Sequence, residues 1–138
     1  MLDARLQKDC VLIAQSKLNY VLLNKDANYP WVILVPKQDN ISELFELSEE
    51  DQLQLSLESN QIAKRLKYAF QADKMNIAAI GNVVNQLHVH IVARFKLDAV
   101  WPKPVWGAIE AKAYEDKQLK KTVDLILHAI ADLNFTRQ

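Results

Sequence analysis

The run NQLHVHIVARF, residues 85–95, constrains the fold of this chain more than any other stretch. Polar and apolar residues alternate in it: Gln86, His88 and His90 interleave with Leu87, Val89 and Ile91. A period of two is that of an extended strand, whose side chains point alternately to opposite faces. Leu87, Val89 and Ile91 therefore share one face and suit a core. Gln86, His88 and His90 share the other. An antiparallel sheet can bury one face and leave the other open, so the pattern predicts a packed side and a side presenting polar groups in a row.

The neighbouring segments supply the rest of such a sheet. CVLIA, NYVLL and WVILV are short, rich in Val, Ile and aromatic residues, and separated by breaks carrying Asn, Asp and Pro. The breaks are too short for parallel crossovers, so these strands are antiparallel neighbours. Pro36 ends the third by withholding an amide donor. Ser48, followed by Glu49, Glu50 and Asp51, has the form of a helix N-terminus. Leu55, Ile62, Leu66 and Phe70 then recur at helical spacing, which predicts a helix over 48–70. MNIAAIGN reads as a strand stopped near Gly81 and Asn82, joined through VVNQ as a hairpin to LHVHIVARF. A Pro- and Trp-rich loop, DAVWPKPVWG, and a second helix over about 110–133 complete the chain. The order strands, helix, strands, helix predicts an α+β fold with an antiparallel sheet of about five strands.

The 138 residues fit one domain, and an apolar content of 50% is enough for a sizeable core. The 17 basic and 17 acidic residues cancel, which gives none of the basic footprint of a nucleic-acid binder. Cys10 is the one cysteine, so no intramolecular disulfide forms, and its place in an apolar run suits a core residue. The charged start MLDARLQKDC lacks a signal-peptide pattern, and no apolar run approaches the length of a membrane span. The expectation is a soluble, cytoplasmic protein.

Four readings of the row Gln86, His88, His90 compete. It is an exposed strand face with incidental histidines; or a metal site, with His88 and His90 on one ion and a carboxylate such as Asp98 completing it. It is a catalytic face, where a neutral imidazole attacks phosphorus while its other ring nitrogen is held as a donor; or it is a binding face without chemistry.

Gln86-Leu87-His88-Val89-His90-Ile91-Val92 resembles the His-φ-His-φ-His-φ-φ motif, φ being apolar, of the histidine triad (HIT) family of nucleotide hydrolases and transferases. Supporting features follow in the family's order. WVILVPK resembles its LVIPK strand, a long central helix and a further strand come next, and Trp101-Pro102 follows the motif. The resemblance covers about residues 10–107, leaving 108–138 as a C-terminal helical extension of one HIT-like domain. It implies that His88 is the nucleophile, carrying a nucleoside monophosphate as a phosphoramidate, and that His90 supports phosphate and leaving-group charge. It implies hydrolysis of dinucleoside polyphosphate- or phosphoramidate-type substrates, no cofactor or essential metal, and a homodimer, which the apolar stripe on residues 48–70 permits.

The chain departs from the motif at Gln86, which stands where the first histidine should be, and at Trp31, where the family usually has the histidine that partners it. The pair is lost together, as in a coherent variant. Asn82 and Asn85 are the candidates for phosphate donors in the short GNVVN segment, and Asn24 or Asp26 for the acidic ribose contact. Arg94 is a candidate for phosphate or a solvated strand-end residue. Trp101 and Trp106 either cover the site or pack a dimer, and His128 is an ordinary helix residue.

Overall fold

Residues 1–138 are all described by a computed structural model. Asp3 caps a short helix α1 (Ala4–Asp9) by accepting from the backbone amide of Arg5. The chain then runs through an antiparallel meander, β1 (Cys10–Gln15), β2 (Asn19–Asn24) and β3 (Trp31–Pro36). The long helix α2 (Glu49–Phe70) starts where the Ser48 side chain accepts from the Asp51 amide, and it stops at Gln71 in the left-handed conformation, φ 54°. Then come β4 (Lys74–Ala79), β5 (Val89–Arg94), α3 (Asp116–Ala129) and β6 (Thr136–Arg137). The sheet order is β4-β5-β3-β2-β1-β6, with every neighbouring pair antiparallel. The α+β fold with an antiparallel sheet is thus as expected.

Leu87, Val89 and Ile91 join Val32, Leu34, Leu55, Ile62 and Leu66 in a core between the sheet and the α2–α3 layer. Each fully buried Leu or Ile contributes about 1.5–3 kcal/mol. The opposite face is not open, as the alternation had suggested. A second cluster, with Leu6, Trp31, Ile33, Val92 and Val105, packs beneath α1 and the segment after β5. Burial of both faces explains why β3 and β5 are buried at every position.

Other boundaries shift for local reasons. The sheet has six strands, because Thr136 and Arg137 pair with Gln15 and Ala14. The last helix is confined to Asp116–Ala129, because residues 112 and 113 bond in extended form to Ala27 and Asp26. In place of a tight hairpin, residues 80–88 form an irregular connection, and β5 starts at Val89, one residue past His88.

Candidate active site

His88 sits at the mouth of β5, where the irregular connection hands over to the strand. Its Nδ1 lies 2.7 Å from the backbone carbonyl oxygen of Gln86. A carbonyl only accepts, so Nδ1 carries a hydrogen, and in the neutral ring Nε2 is left with its lone pair. The residue is 6% exposed, so a ligand must enter a pocket to reach it. That pocket is a cavity of about 190 Å³ lined by Ser42, Glu43, Gly81, Asn82, Asn85 and His88, among others. A Cβ on Gly81 would sit 3.0 Å from the Val84 carbonyl oxygen, a tight contact, and 4.0 Å from Cε1 of His88, so glycine leaves this approach clear. Larger hollows exist, one of about 820 Å³ beside α3, but its only histidine is the exposed helix residue His128.

His90, two residues along, lies next to His88 with ring centroids 4.9 Å apart. The indole Nε1–H of Trp31 donates to its Nδ1 at 3.0 Å. Nδ1 is therefore the acceptor and Nε2 carries the hydrogen. Burial, then the charge of His88, push its pKa down to about 4, against a contribution from the Ile80 carbonyl that raises it. His90 is a neutral ring at pH 7. Trp106 packs edge-on to His90 at 5.3 Å and to Trp31 at 6.0 Å, so it covers His90 within one subunit.

The structure brings His88, His90, Asn82 and Asn85 together, and it places the other candidates elsewhere. Gln86 and Trp31 are not used as a substituted pair. Trp31 serves His90, and the Gln86 side chain bonds to Asp3 and Met1. Arg94 is neither solvated nor free. Its guanidinium is 1% exposed and holds both Asp98 oxygens, at 2.8 and 3.2 Å, and Asn76 at 2.8 Å, between the rings of Tyr29 and Trp101. Asp98 also accepts from the amides of Phe95, Val100 and Trp101. Burial pushes the Asp98 carboxyl up, but Arg94 and the backbone amides outweigh it and hold the group below the usual carboxylate range. Asp98 is thus committed and cannot complete a metal site with His88 and His90, and no three ligand-type side chains gather anywhere. Asn24 and Asp26 line a separate depression. Asn24 Oδ1 accepts from the Asp26 amide, and Asp26 Oδ1 from the amides of Asn28 and Lys112. Cys10 is buried, with its thiol pushed up to about 12 by that burial. Asp3 and Arg5, which border the His88 connection, carried no signal in the sequence, because their contacts there span 78 to 83 residues.

A sheet strand that delivers two adjacent imidazoles, one held by a backbone carbonyl, in an α+β domain backed by a long helix has the form of the histidine triad folds. The HIT domain model matches residues 5–97. The chain is similar to the crystal structure of a histidine triad protein from Bradyrhizobium japonicum, with 42% identity over 94% of this chain and 97% of that one, TM-score 0.92. It is similar also to one from Sinorhizobium meliloti (41% identity, 94% and 96% covered, TM-score 0.91) and one from Marinobacter aquaeolei (38%, 96% and 97%, TM-score 0.93). No functionally curated protein matches. The chain belongs to the HIT family, a family of nucleotide-binding hydrolases and transferases.

Proposed function

We propose that this protein is a nucleotidyl hydrolase that releases a nucleoside monophosphate from dinucleoside polyphosphate- or phosphoramidate-type substrates through a covalent intermediate on His88. The observation that carries the reading is the 2.7 Å bond from His88 Nδ1 to the Gln86 carbonyl, which aims an unprotonated Nε2 away from the backbone. Nε2 attacks the α-phosphorus. The bond to the leaving group breaks with its electron pair, and the departing oxygen or nitrogen takes a proton from solvent. The imidazolium so formed keeps its Nδ1–H on the Gln86 carbonyl, which spreads the new charge. Water then attacks phosphorus and releases a proton to solvent, the P–N bond breaks with its electron pair going to Nε2, and neutral His88 returns. Asn82 and Asn85, which line the same cavity as His88 and Gly81, are the candidate side-chain donors for phosphate. Asn24 and Asp26 lie in a separate depression with side-chain oxygens taken by backbone amides, so no ribose contact is assigned to them.

Binding without turnover is the second reading, and one observation favours it. His90 Nδ1 is taken by the Trp31 indole, and the ring is buried and neutral, which limits what His90 gives a leaving group. The two readings separate on incubation with adenosine phosphoramidates and diadenosine polyphosphates. Wild type is expected to turn over at least one class and to trap an acid-labile adduct of nucleotide mass, and His88→Ala to do neither. Nucleotide binding by calorimetry with no turnover in wild type would leave only the binding module.

A further inference from the structure

Gln86 occupies the place of the family's first histidine, yet its side chain is turned away from the cavity at His88. Its Oε1 accepts from the backbone amide of Asp3 at 2.8 Å, and its Nε2 donates to the carbonyl of Met1 at 3.0 Å. A carboxamide carries donor and acceptor side by side on one carbon, so it grips a carbonyl and an amide of one short segment at once. A neutral imidazole has one donor and one acceptor on opposite flanks of its ring and cannot make the same grip.

A second tie runs beside the first. The Arg5 guanidinium donates to the carbonyl of Val83 at 2.7 Å, while its other nitrogens hold the two Asp3 oxygens at 3.2 Å each. The Asp3 carboxyl lies below the usual carboxylate range, chiefly through these bonds from Arg5, with a smaller contribution from the charge of His88. Leu2 and Leu6 anchor the same segment in the cluster that contains Trp31. Residues 1–6 are thus fastened at two points to the connection at 83–86. The backbone carbonyl of Gln86 in that connection is the acceptor for His88 Nδ1.

We propose that Gln86 and Arg5 are positioning residues, which pin the amino-terminal segment to the 83–86 connection and so hold the Gln86 carbonyl where it fixes the His88 tautomer. The substitution at position 86 leaves the catalytic contribution with the backbone and gives the side chain a clamp. This inference rests on His88 being the nucleophile. A connection without regular secondary structure has no ladder of its own to hold that carbonyl, and the two ties supply the missing restraint.

The test compares wild type with Gln86→Leu, which keeps the bulk and removes both hydrogen bonds, and with Arg5→Met, at an exposed site. Nitrogen-15 spectra of the imidazoles at about pH 8, where an ordinary histidine is neutral, report the tautomer directly. Wild-type His88 is expected to show a single species with hydrogen on Nδ1, and each variant a mixture containing the Nε2–H form. With nucleotide phosphoramidate, kcat is expected to fall roughly tenfold to a hundredfold with KM little changed, as for a misplaced reacting group. If Gln86→Leu does not fold, Arg5→Met carries the comparison. A wild-type tautomer in every folded variant overturns the proposal. Absence of turnover in wild type would remove the nucleophile reading, while the tautomer comparison still decides the clamp.

Discussion

Burial and the neighbouring His88 push the pKa of His90 to about 4, so the folded protein holds a neutral ring that the unfolded chain protonates near 6.5. Between those values the unfolded state binds a proton that the folded state does not. The contribution of His90 to stability is therefore full above about pH 6.5 and is lost as the pH falls towards 4. At about 1.4 kcal/mol per pKa unit, the interval from 6.5 to about 4 is worth on the order of 3 kcal/mol. Urea denaturation at a series of pH values in this window is expected to show that slope in wild type and a flatter one in His90→Asn. Equal slopes would mean that other groups carry the acid sensitivity. The residue scale also marks what the sequence concealed. Alternation put His88 and His90 on one face, and the family motif pointed to His88, but neither tells which ring nitrogen holds a hydrogen. That depends on a backbone carbonyl for His88 and on Trp31, 59 residues away, for His90. Gln86 was legible as a departure from the motif. Its partners were not, since Met1 and Asp3 reach it only through folding.

At the scale of the element, β5 is held at both ends by different chemistry. One end presents His88 and His90, and the other ends in Arg94, locked to Asp98 with both side chains almost wholly buried. Removing one partner strands the other charge in a low-dielectric interior, so Arg94→Met is expected to cost roughly 3–5 kcal/mol in chemical denaturation. Its KM for nucleotide, measured where the variant remains folded, is expected to match wild type. A raised KM with unchanged stability would return Arg94 to the phosphate. The sequence left this pair open because both Arg94 and Asp98 have the composition of exposed loop residues. Burial comes from Tyr29 and Trp101, which arrive from separate loops. Helix α2 was far more legible, since its start, stop and apolar spacing are all local signals. The connection at 80–88 looks shorter in the sequence because the alternation of Gln86, Leu87 and His88 has the form of a strand, whereas β5 begins at Val89.

The sheet of the whole molecule ends in two edges, the two-residue β6 and the longer β4. β4 bonds to β5 alone, and Ile77 on it is exposed. Helix α2 packs over β4 and β5, and its outward side carries Leu53, Leu57 and Tyr68, all exposed, with Leu44 and Phe45 on the turn before it. An open strand edge beside an apolar helix face is a surface that soluble proteins cover. A second copy is the expected cover: two β4 edges would pair antiparallel about a twofold axis, and the two α2 faces would close over the join. The sequence showed the stripe on 48–70 without showing that it is split, with Leu55, Ile62 and Leu66 taken by the core and Leu53 and Leu57 left outside. Only the outer set is available to a partner. A homodimer is the expected state, and Leu57→Glu is expected to give a monomer, because two carboxylates would meet across the axis without partners. The same change in a monomer places a charge on an already exposed site and leaves stability within about 0.5 kcal/mol. Light scattering coupled to size-exclusion chromatography at micromolar concentration decides it, and a wild-type monomer mass would remove the twofold pairing of β4. Ser42, Glu43 and Leu44 line the His88 cavity and run directly into exposed Phe45, so a true dimer would bring its interface to the rim of the site. Monomerisation is then expected to raise KM for nucleotide by more than it lowers kcat, since it loosens a binding wall and leaves His88 and its carbonyl partner in place.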